Sequence, residues 1–163
     1  MPREPFSILL VCTGNICRSP SAEGVMRAMA AARGLGEVLR MDSAGTSSWH
    51  VGEPPDPPAI RAAAARGYDL TPLRARQAVS ADFQRFDLIL AMDHGHYAKL
   101  ERLRQTDAPA QLALYMAAVD RADLPEEVFD PYGMGPGAFG QCLDLIEAGA
   151  AAWLDRLVRE ARI

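Results

Sequence analysis

The chain has 163 residues, of which 49% are apolar and 23% are charged, and its formal net charge at pH 7 is −4. This length and balance are typical of one water-soluble globular domain, which we place at residues 1–163. The negative charge excludes a protein that binds nucleic acid through bulk positive charge.

The start of the chain and its cysteines indicate the compartment. The apolar run at residues 8–12 is far too short to span a membrane, and no long apolar core follows Arg3 as it would in a secretory signal. The three cysteines are too few for a disulfide scaffold, and they suit a reducing cytosol. We therefore expect a cytoplasmic protein that makes no membrane contact.

The first half of the chain predicts two strands. Residues 6–11 form an apolar run that fits a strand buried on both faces, and residues 38–42 could form a second strand. Between them, Pro20 suits the first turn of a helix that ends before Gly34. Residues 45–58 are rich in glycine, serine and proline, and they predict a long loop.

The remaining elements alternate in the same way. The predicted strands are residues 86–91 and 111–116, and the predicted helices are residues 59–66, 93–104 and 139–158. Asp56 is placed to cap the first of these helices, and Cys142 lies on the apolar stripe of the last, which predicts a core position. Alternating strands and helices predict an α/β fold, a parallel sheet with helices on both faces. Ligands bind such sheets beyond the carboxyl ends of the strands.

The loop after the first strand has the sequence CTGNICRSP, residues 12–20. Gly14 and Asn15 tolerate the left-handed backbone that turns successive N–H groups inward, and such groups beside a helix N-terminus bind anions. Arg18 adds a planar fork that suits two phosphate oxygens. The same positive field favours the thiolate of Cys12, a nucleophile. The other loop residues in contact with a bound phosphate ester would be Thr13, Ile16, Cys17 and Ser19.

This loop resembles the signature loop of the low-molecular-weight protein tyrosine phosphatases. Four further segments occur in that family's order and spacing, namely Ser43-Ala-Gly-Thr46 followed by Trp49, Pro55-Asp-Pro57, Ala91-Met-Asp93 and Asp130-Pro-Tyr132. The resemblance is to bacterial members and covers almost the whole chain. It implies a three-layer, doubly wound fold with a four-stranded parallel sheet, and neither a metal nor an organic cofactor.

The resemblance also implies an activity and a set of roles. The activity is hydrolysis of phosphotyrosine on proteins through a cysteinyl-phosphate, with Cys12 as nucleophile, Arg18 as phosphate clamp and Asp130 as general acid and then base. Trp49 and Tyr132 match the aromatic walls of the family's pocket, although partial burial in the core is the alternative for both. The positions that brace the loop by hydrogen bonding are Asn15 and Ser43.

Two other carboxylates compete with Asp130 for the acid role. The residues around Asp130 are ordinary turn dipeptides, so the spacing alone leaves its role open. Asp56 is better explained as a helix cap, and Asp93 could cap the helix after it or lie at the rim of the site.

Further predictions concern the second cysteine of the loop, Cys17, and two histidines. In many members of the family this cysteine forms a disulfide with the nucleophile, so the resemblance implies that Cys17 could protect Cys12, and simple packing is the alternative. The pair His94 and His96 is too sparse for a metal site, and we expect exposed polarity at a helix start.

Three rival functions share parts of this pattern. An arsenate reductase on the same fold needs two further cysteines in the middle of the chain, and residues 18–141 contain none. A phosphoarginine phosphatase shares the loop, but the resemblance places threonine where this chain has Ile16. An idle phosphate-binding module is disfavoured because Cys12, Arg18 and Asp130 are all intact.

The resemblance extends to partners. It implies a phosphotyrosine-containing protein as substrate, a bacterial tyrosine kinase as a candidate partner, and a chain that acts as a monomer or weak dimer without nucleic acid or membrane. Some relatives have a second, phosphorylated tyrosine after the position of Tyr132, and Gly133 stands there in this chain. Regulation through tyrosine would therefore rest on Tyr132 alone.

Overall fold

Four strands form one parallel sheet in the computed structural model, which describes residues 3–163. The strands are β1 (Phe6–Cys12), β2 (Leu39–Gly45), β3 (Leu88–Ala91) and β4 (Gln111–Leu114), and their order in the sheet is β2-β1-β3-β4. Each neighbouring pair is parallel. Strand β1 is therefore an interior strand, and its apolar run is buried along its whole length, as a strand covered on both faces must be.

Five helices cover the two faces of this sheet. They are α1 (Arg18–Ala32), α2 (Pro57–Ala64), α3 (Asp82–Arg85), α4 (His94–Leu103) and α5 (Pro136–Arg159). Alternate residues of β1 separate the core into two clusters: Ile8 and Leu10 pack with α1 and α5, whereas Leu9 and Val11 pack with Phe83 and the α4 side. The predicted α/β, three-layer, doubly wound fold is confirmed. Among residues 3–163, no helix combines the length and apolarity needed to cross a membrane.

Several element boundaries differ from the sequence-based ones. Strand β4 ends at Leu114 because Tyr115–Ala118 turn into a 3₁₀ helix, and α5 holds this turn through a hydrogen bond from Trp153 Nε1 to the carbonyl of Tyr115 at 2.7 Å. Helix α3 was not predicted, because four residues are too few to show a helical period. Strand β2 extends to Gly45, three residues beyond its predicted end, whereas α1 begins at Arg18 with Pro20 in its first turn, as predicted.

Candidate active site

A cavity of about 220 Å³ opens beyond the carboxyl end of β1. Its walls come from the loop after β1, from the loop after β2 and from the segment before α5. The lining residues are Cys12, Thr13, Gly14, Ile16, Cys17, Arg18, Trp49, His50, Asp130 and Tyr132. The fold therefore brings the three candidate catalytic residues together at the edge where ligands bind parallel sheets.

Asn15 braces the loop from inside. It takes the left-handed conformation that its type tolerates, with φ 59°, and it is 2% exposed. Its side-chain nitrogen donates to Ser19 Oγ at 2.8 Å and to Ser43 Oγ at 3.0 Å, while its oxygen accepts from the backbone N–H of Arg76 at 3.0 Å. These bonds tie the loop to α1, to β2 and to the segment after α2, which preorganises it.

A buried carboxylate supports this bracing. Ser43 Oγ donates to Glu23 Oε1 at 2.7 Å, and Arg27 lies 2.7 Å from the other oxygen of that carboxylate. Burial raises the pKa of Glu23, and the Ser43 bond and the Arg27 charge oppose the shift only in part. Sequence reasoning missed Glu23, which looks like an ordinary polar position of α1.

The end of β2 holds the loop from the other side. Thr46 N–H donates to the carbonyl of Cys12 at 2.8 Å, and Ser47 N–H donates to that of Thr13 at 3.0 Å. A Cβ atom at Gly45 would lie 2.5 Å from the Thr13 carbonyl oxygen, closer than such atoms can approach. This close backbone approach requires glycine at position 45.

Cys12 stands at the last position of β1 and is buried. Its Sγ lies 3.0 Å from Ser19 Oγ. Because Asn15 donates to the same hydroxyl, the Ser19 proton is available for the sulfur, or for the Ala44 carbonyl at 3.3 Å. A hydroxyl that donates to Sγ stabilises a thiolate there.

The guanidinium of Arg18 is held from behind. One of its terminal nitrogens donates to Asp93 Oδ2 and to the Val128 carbonyl, each at 3.0 Å. Burial raises the pKa of Asp93, but the backbone N–H of His96 and the charge of Arg18 outweigh burial and lower it. Asp93 is thus a carboxylate that orients the Arg18 guanidinium and caps α4, accepting from His96 N–H at 2.9 Å.

Asp130 lies at the mouth of the cavity. Its Oδ1 accepts from the backbone N–H of Tyr132 at 3.1 Å, and its Oδ2 is 3.8 Å from Arg18. Neither rival carboxylate is placed as well for proton donation, because Asp93 is bound to Arg18 and Asp56 does not line this cavity. The expectation that Asp56 caps a helix is wrong for its side chain: it occupies the N-cap position of α2 without a capping bond, and its Oδ2 lies 3.8 Å from Cys17 Sγ.

Trp49 and Tyr132 form an exposed rim. Their side chains are 76% and 59% exposed, so the alternative of partial core burial is wrong for both. Ile16 lines the same cavity, although most of its side chain packs against Ala59 and Phe139. His50 also lines the cavity and was missed in the sequence, where its place beside Trp49 was the only signal.

The two histidines of α4 differ. His94 is exposed, as expected, whereas His96 is buried, with its Nε2 2.7 Å from Thr13 Oγ1. The expectation of exposure is therefore wrong for His96. The physical reason is tertiary: α4 begins beside the loop after β1, so the ring of its third residue meets Thr13 and is buried there.

The other cysteines are buried thiols. Burial raises the pKa of Cys142 to about 12, and it lies in the core as predicted. Burial, with the nearby Asp56 carboxylate, also raises the pKa of Cys17 well above its usual range. All three cysteines are free, so a disulfide between Cys12 and Cys17 stays a prediction. Across residues 3–163, no group of three or more histidine, cysteine or acidic side chains is arranged to hold a metal ion.

Comparisons with known proteins identify the family of this chain. The family model described as "Low molecular weight phosphotyrosine protein phosphatase" matches residues 7–163. A low molecular weight protein-tyrosine-phosphatase of Streptomyces coelicolor is 43% identical over 153 residues, which cover 91% of this chain and 92% of that protein.

Two solved structures show the same fold. YfkJ of Bacillus subtilis has a TM-score of 0.90 at 33% identity, covering 98% of this chain and 99% of that chain. An arginine phosphatase of Drosophila has a TM-score of 0.85 at 30% identity, covering 91% and 96%. The family model covers nearly the whole chain, and the Streptomyces phosphatase matches it at 43% identity. The chain therefore belongs to the low molecular weight phosphotyrosine protein phosphatase family.

Proposed function

We propose that this phosphatase hydrolyses phosphotyrosine on proteins in two steps, with residues 1–163 as one catalytic domain. The observation that carries the proposal is the meeting of Cys12, Arg18 and Asp130 around one cavity, although they come from three separate parts of the chain. A nucleophile, an anion clamp and a proton donor are the groups that phosphate monoester hydrolysis requires.

In the first step, Cys12 Sγ attacks phosphorus in line with the ester oxygen. Arg18 and the N–H groups of the loop bind the equatorial oxygens, whose charge is stabilised as the P–O bond breaks. Asp130 transfers its proton to the departing phenolate oxygen, so that tyrosine leaves as a neutral phenol.

In the second step, water attacks the cysteinyl-phosphate. Asp130, now a carboxylate, accepts the proton of that water, and the S–P bond breaks to give inorganic phosphate and the Cys12 thiolate. The Ser19 hydroxyl, 3.0 Å from Sγ, stabilises the sulfur anion that leaves.

The rim supports an aromatic phosphoester as substrate. Trp49 and Tyr132 are exposed aromatic side chains on the cavity that holds Cys12, and they offer flat apolar surface to a phenyl ring. The physiological substrate is then a phosphotyrosine protein, with a tyrosine kinase of the same cytoplasm as its source, and the enzyme acts as a monomer or weak dimer.

A panel of three peptides that carry phosphotyrosine, phosphoserine or phosphoarginine tests the proposal. We expect rapid phosphate release from phosphotyrosine alone. Cys12→Ser should lose turnover and still bind inorganic phosphate, because the loop amides and Arg18 remain while a hydroxyl without a base is a poor nucleophile. Substantial turnover by Cys12→Ser would overturn the mechanism.

Phosphoarginine is the second candidate substrate, because an arginine phosphatase of Drosophila shares this fold. The aliphatic side chain of Ile16 on the cavity wall opposes it, since the N–H groups of a guanidinium would lose water there without gaining a partner, at about 1–3 kcal/mol each. Comparable kcat/KM for phosphoarginine and phosphotyrosine would overturn the substrate assignment and leave the proposed roles of Cys12, Arg18 and Asp130 intact.

A further inference from the structure

The buried imidazole of His96 lies behind the phosphate clamp, and no step of the reaction above uses it. Its side chain is 4% exposed. Nε2 is 2.7 Å from Thr13 Oγ1, and Nδ1 is 3.1 Å from Asp93 Oδ1. The Thr13 contact is a directional hydrogen bond. The Asp93 contact is an electrostatic one, because Nδ1 makes no well-aligned hydrogen bond.

Arg18 closes these contacts into a ring. One terminal nitrogen of its guanidinium donates to Asp93 Oδ2 at 3.0 Å, and the other donates to Thr13 Oγ1 at 3.5 Å. The path from Arg18 through Asp93 and His96 to Thr13 therefore returns to Arg18. The ring joins the first residue after the nucleophile, the clamp and the cap of α4.

One arrangement of protons suits every contact in this ring. Arg18 can only donate and the Asp93 carboxylate can only accept. A proton on His96 Nδ1 is attracted to the carboxylate, which leaves Nε2 to accept from the Thr13 hydroxyl. The oxygen of Thr13 then keeps its lone pairs for Arg18. The other tautomer would place a nitrogen lone pair 3.1 Å from a carboxylate oxygen.

We propose that His96 is a positioning residue that fixes the Arg18 guanidinium and the Thr13 side chain from behind, for the reaction given above as the proposed function. Burial and the Arg18 charge support this role, because they hold the pKa of His96 at about 4 and keep its ring neutral near pH 7. A neutral ring orients Asp93 without competing with Arg18 for its charge.

The test compares His96→Leu with His96→Gln and with His94→Leu. His96→Leu removes both ring contacts, and we expect kcat for a phosphotyrosine peptide to fall about 10–100-fold and the inhibition constant of inorganic phosphate to rise about 10-fold. His96→Gln, whose amide can reach Thr13, should recover a large part of both losses. His94→Leu changes an exposed residue of the same helix and should match the parent.

Two further measurements keep the proposal decidable if His96→Leu folds poorly. In the parent, nitrogen NMR of the imidazole should show the proton on Nδ1. Thr13→Val removes the shared bond and leaves the imidazole in place, so it should weaken phosphate affinity, and an unchanged affinity would contradict the proposed ring of contacts. A proton on Nε2, or a well-folded His96→Leu variant with parental kcat and phosphate affinity, would overturn the positioning role.

Failure of the proposed function gives a different result. If the parent releases no phosphate from phosphotyrosine, the proposed function fails. Phosphate binding by calorimetry and the NMR tautomer still report on His96 in that case, because neither measurement depends on turnover.

Discussion

The floor and the rim of the cavity are built in opposite ways. The floor, residues 12–19, is mostly buried and hydrogen-bonded: Asn15, Arg18 and Ser19 are each at most 4% exposed. On the rim, Trp49 and Tyr132 are more than half exposed, and the Asp130 carboxyl is held mainly by one backbone N–H. In the proposed mechanism the floor binds a phosphoryl group of fixed geometry, so rigidity serves it, whereas the rim meets a variable protein surface and gains from freedom to adjust.

Among changes to the floor or the rim, Arg18→Lys should cause the largest loss of activity. An ammonium cannot reproduce a bidentate fork, and two lost donors at about 10²–10³ each predict a loss of about 10⁴-fold or more in kcat/KM. Steady-state kinetics on a phosphotyrosine peptide measure this loss. Arg33→Lys, at the partly exposed residue that directly follows α1, is the matched control, and an equal loss in both variants would show a general effect on this part of the fold.

Asp130→Asn should slow phenol-ester hydrolysis, measured as kcat/KM, by about 10²–10⁴ and leave phosphate affinity unchanged, because in the proposed mechanism Asp130 exchanges protons with the leaving group and with water and does not bind the phosphate oxygens. The defect should shrink for an ester of a strongly acidic nitrophenol, which needs little proton donation. Asp93→Asn should instead weaken phosphate binding, since Asp93 orients Arg18. A leaving-group-dependent defect in Asp93→Asn alone would reassign the acid.

Acid should lower the stability of the folded chain through His96, which packs against Thr13 of the floor. Its pKa is about 4 in the folded chain and 6.5 ordinarily, so between these values the unfolded chain binds more protons and stability falls as pH falls. The shift corresponds to roughly 3 kcal/mol, which is fully present above pH 6.5 and is lost by about pH 4. The charged groups that act on the ring are Asp93, Arg18, Lys99 and Asp130.

Urea unfolding at pH 7 and pH 4.5 measures this loss, with His96→Gln as the comparison. The variant should lose less stability between the two values than the parent does. Equal losses in both proteins would assign the acid sensitivity to other groups.

Trp49→Ala should have the smallest effect on activity, and it should separate substrate binding at the rim from phosphate binding at the floor. Loss of a stacked wall, at about 0.5–1.5 kcal/mol, predicts a rise of roughly 2–12-fold in KM for a phosphotyrosine peptide. The inhibition constant of inorganic phosphate should not change, because phosphate contacts only the floor. Val51→Ala, an exposed change in the same loop, is the control, and a weaker phosphate affinity in Trp49→Ala would show that rim and floor are coupled.

The residues of the floor could be predicted from the sequence, whereas side-chain contacts that depend on tertiary packing could not. The floor is one contiguous stretch after a recognisable strand, so Cys12 through Ser19 could be assigned from residue types and from the resemblance. The burial of His96 could not be, because it depends on how α4 meets the loop across the sheet. The side chain of Asp56 has the residue type of a cap but points to Cys17 instead, a choice that tertiary neighbours decide.

The contact of Gly45 with the Thr13 carbonyl has a consequence for how this enzyme can vary. Position 45 is closed to any side chain, since even one methyl group would displace the loop that holds the phosphate. Only four residues later, Trp49 is exposed and its replacement disturbs no packed neighbour of the core. In a library of random variants, mutational tolerance should therefore rise sharply along this short loop. Selection for new substrates has room to act toward Trp49, while Gly45 at the end of β2 stays fixed.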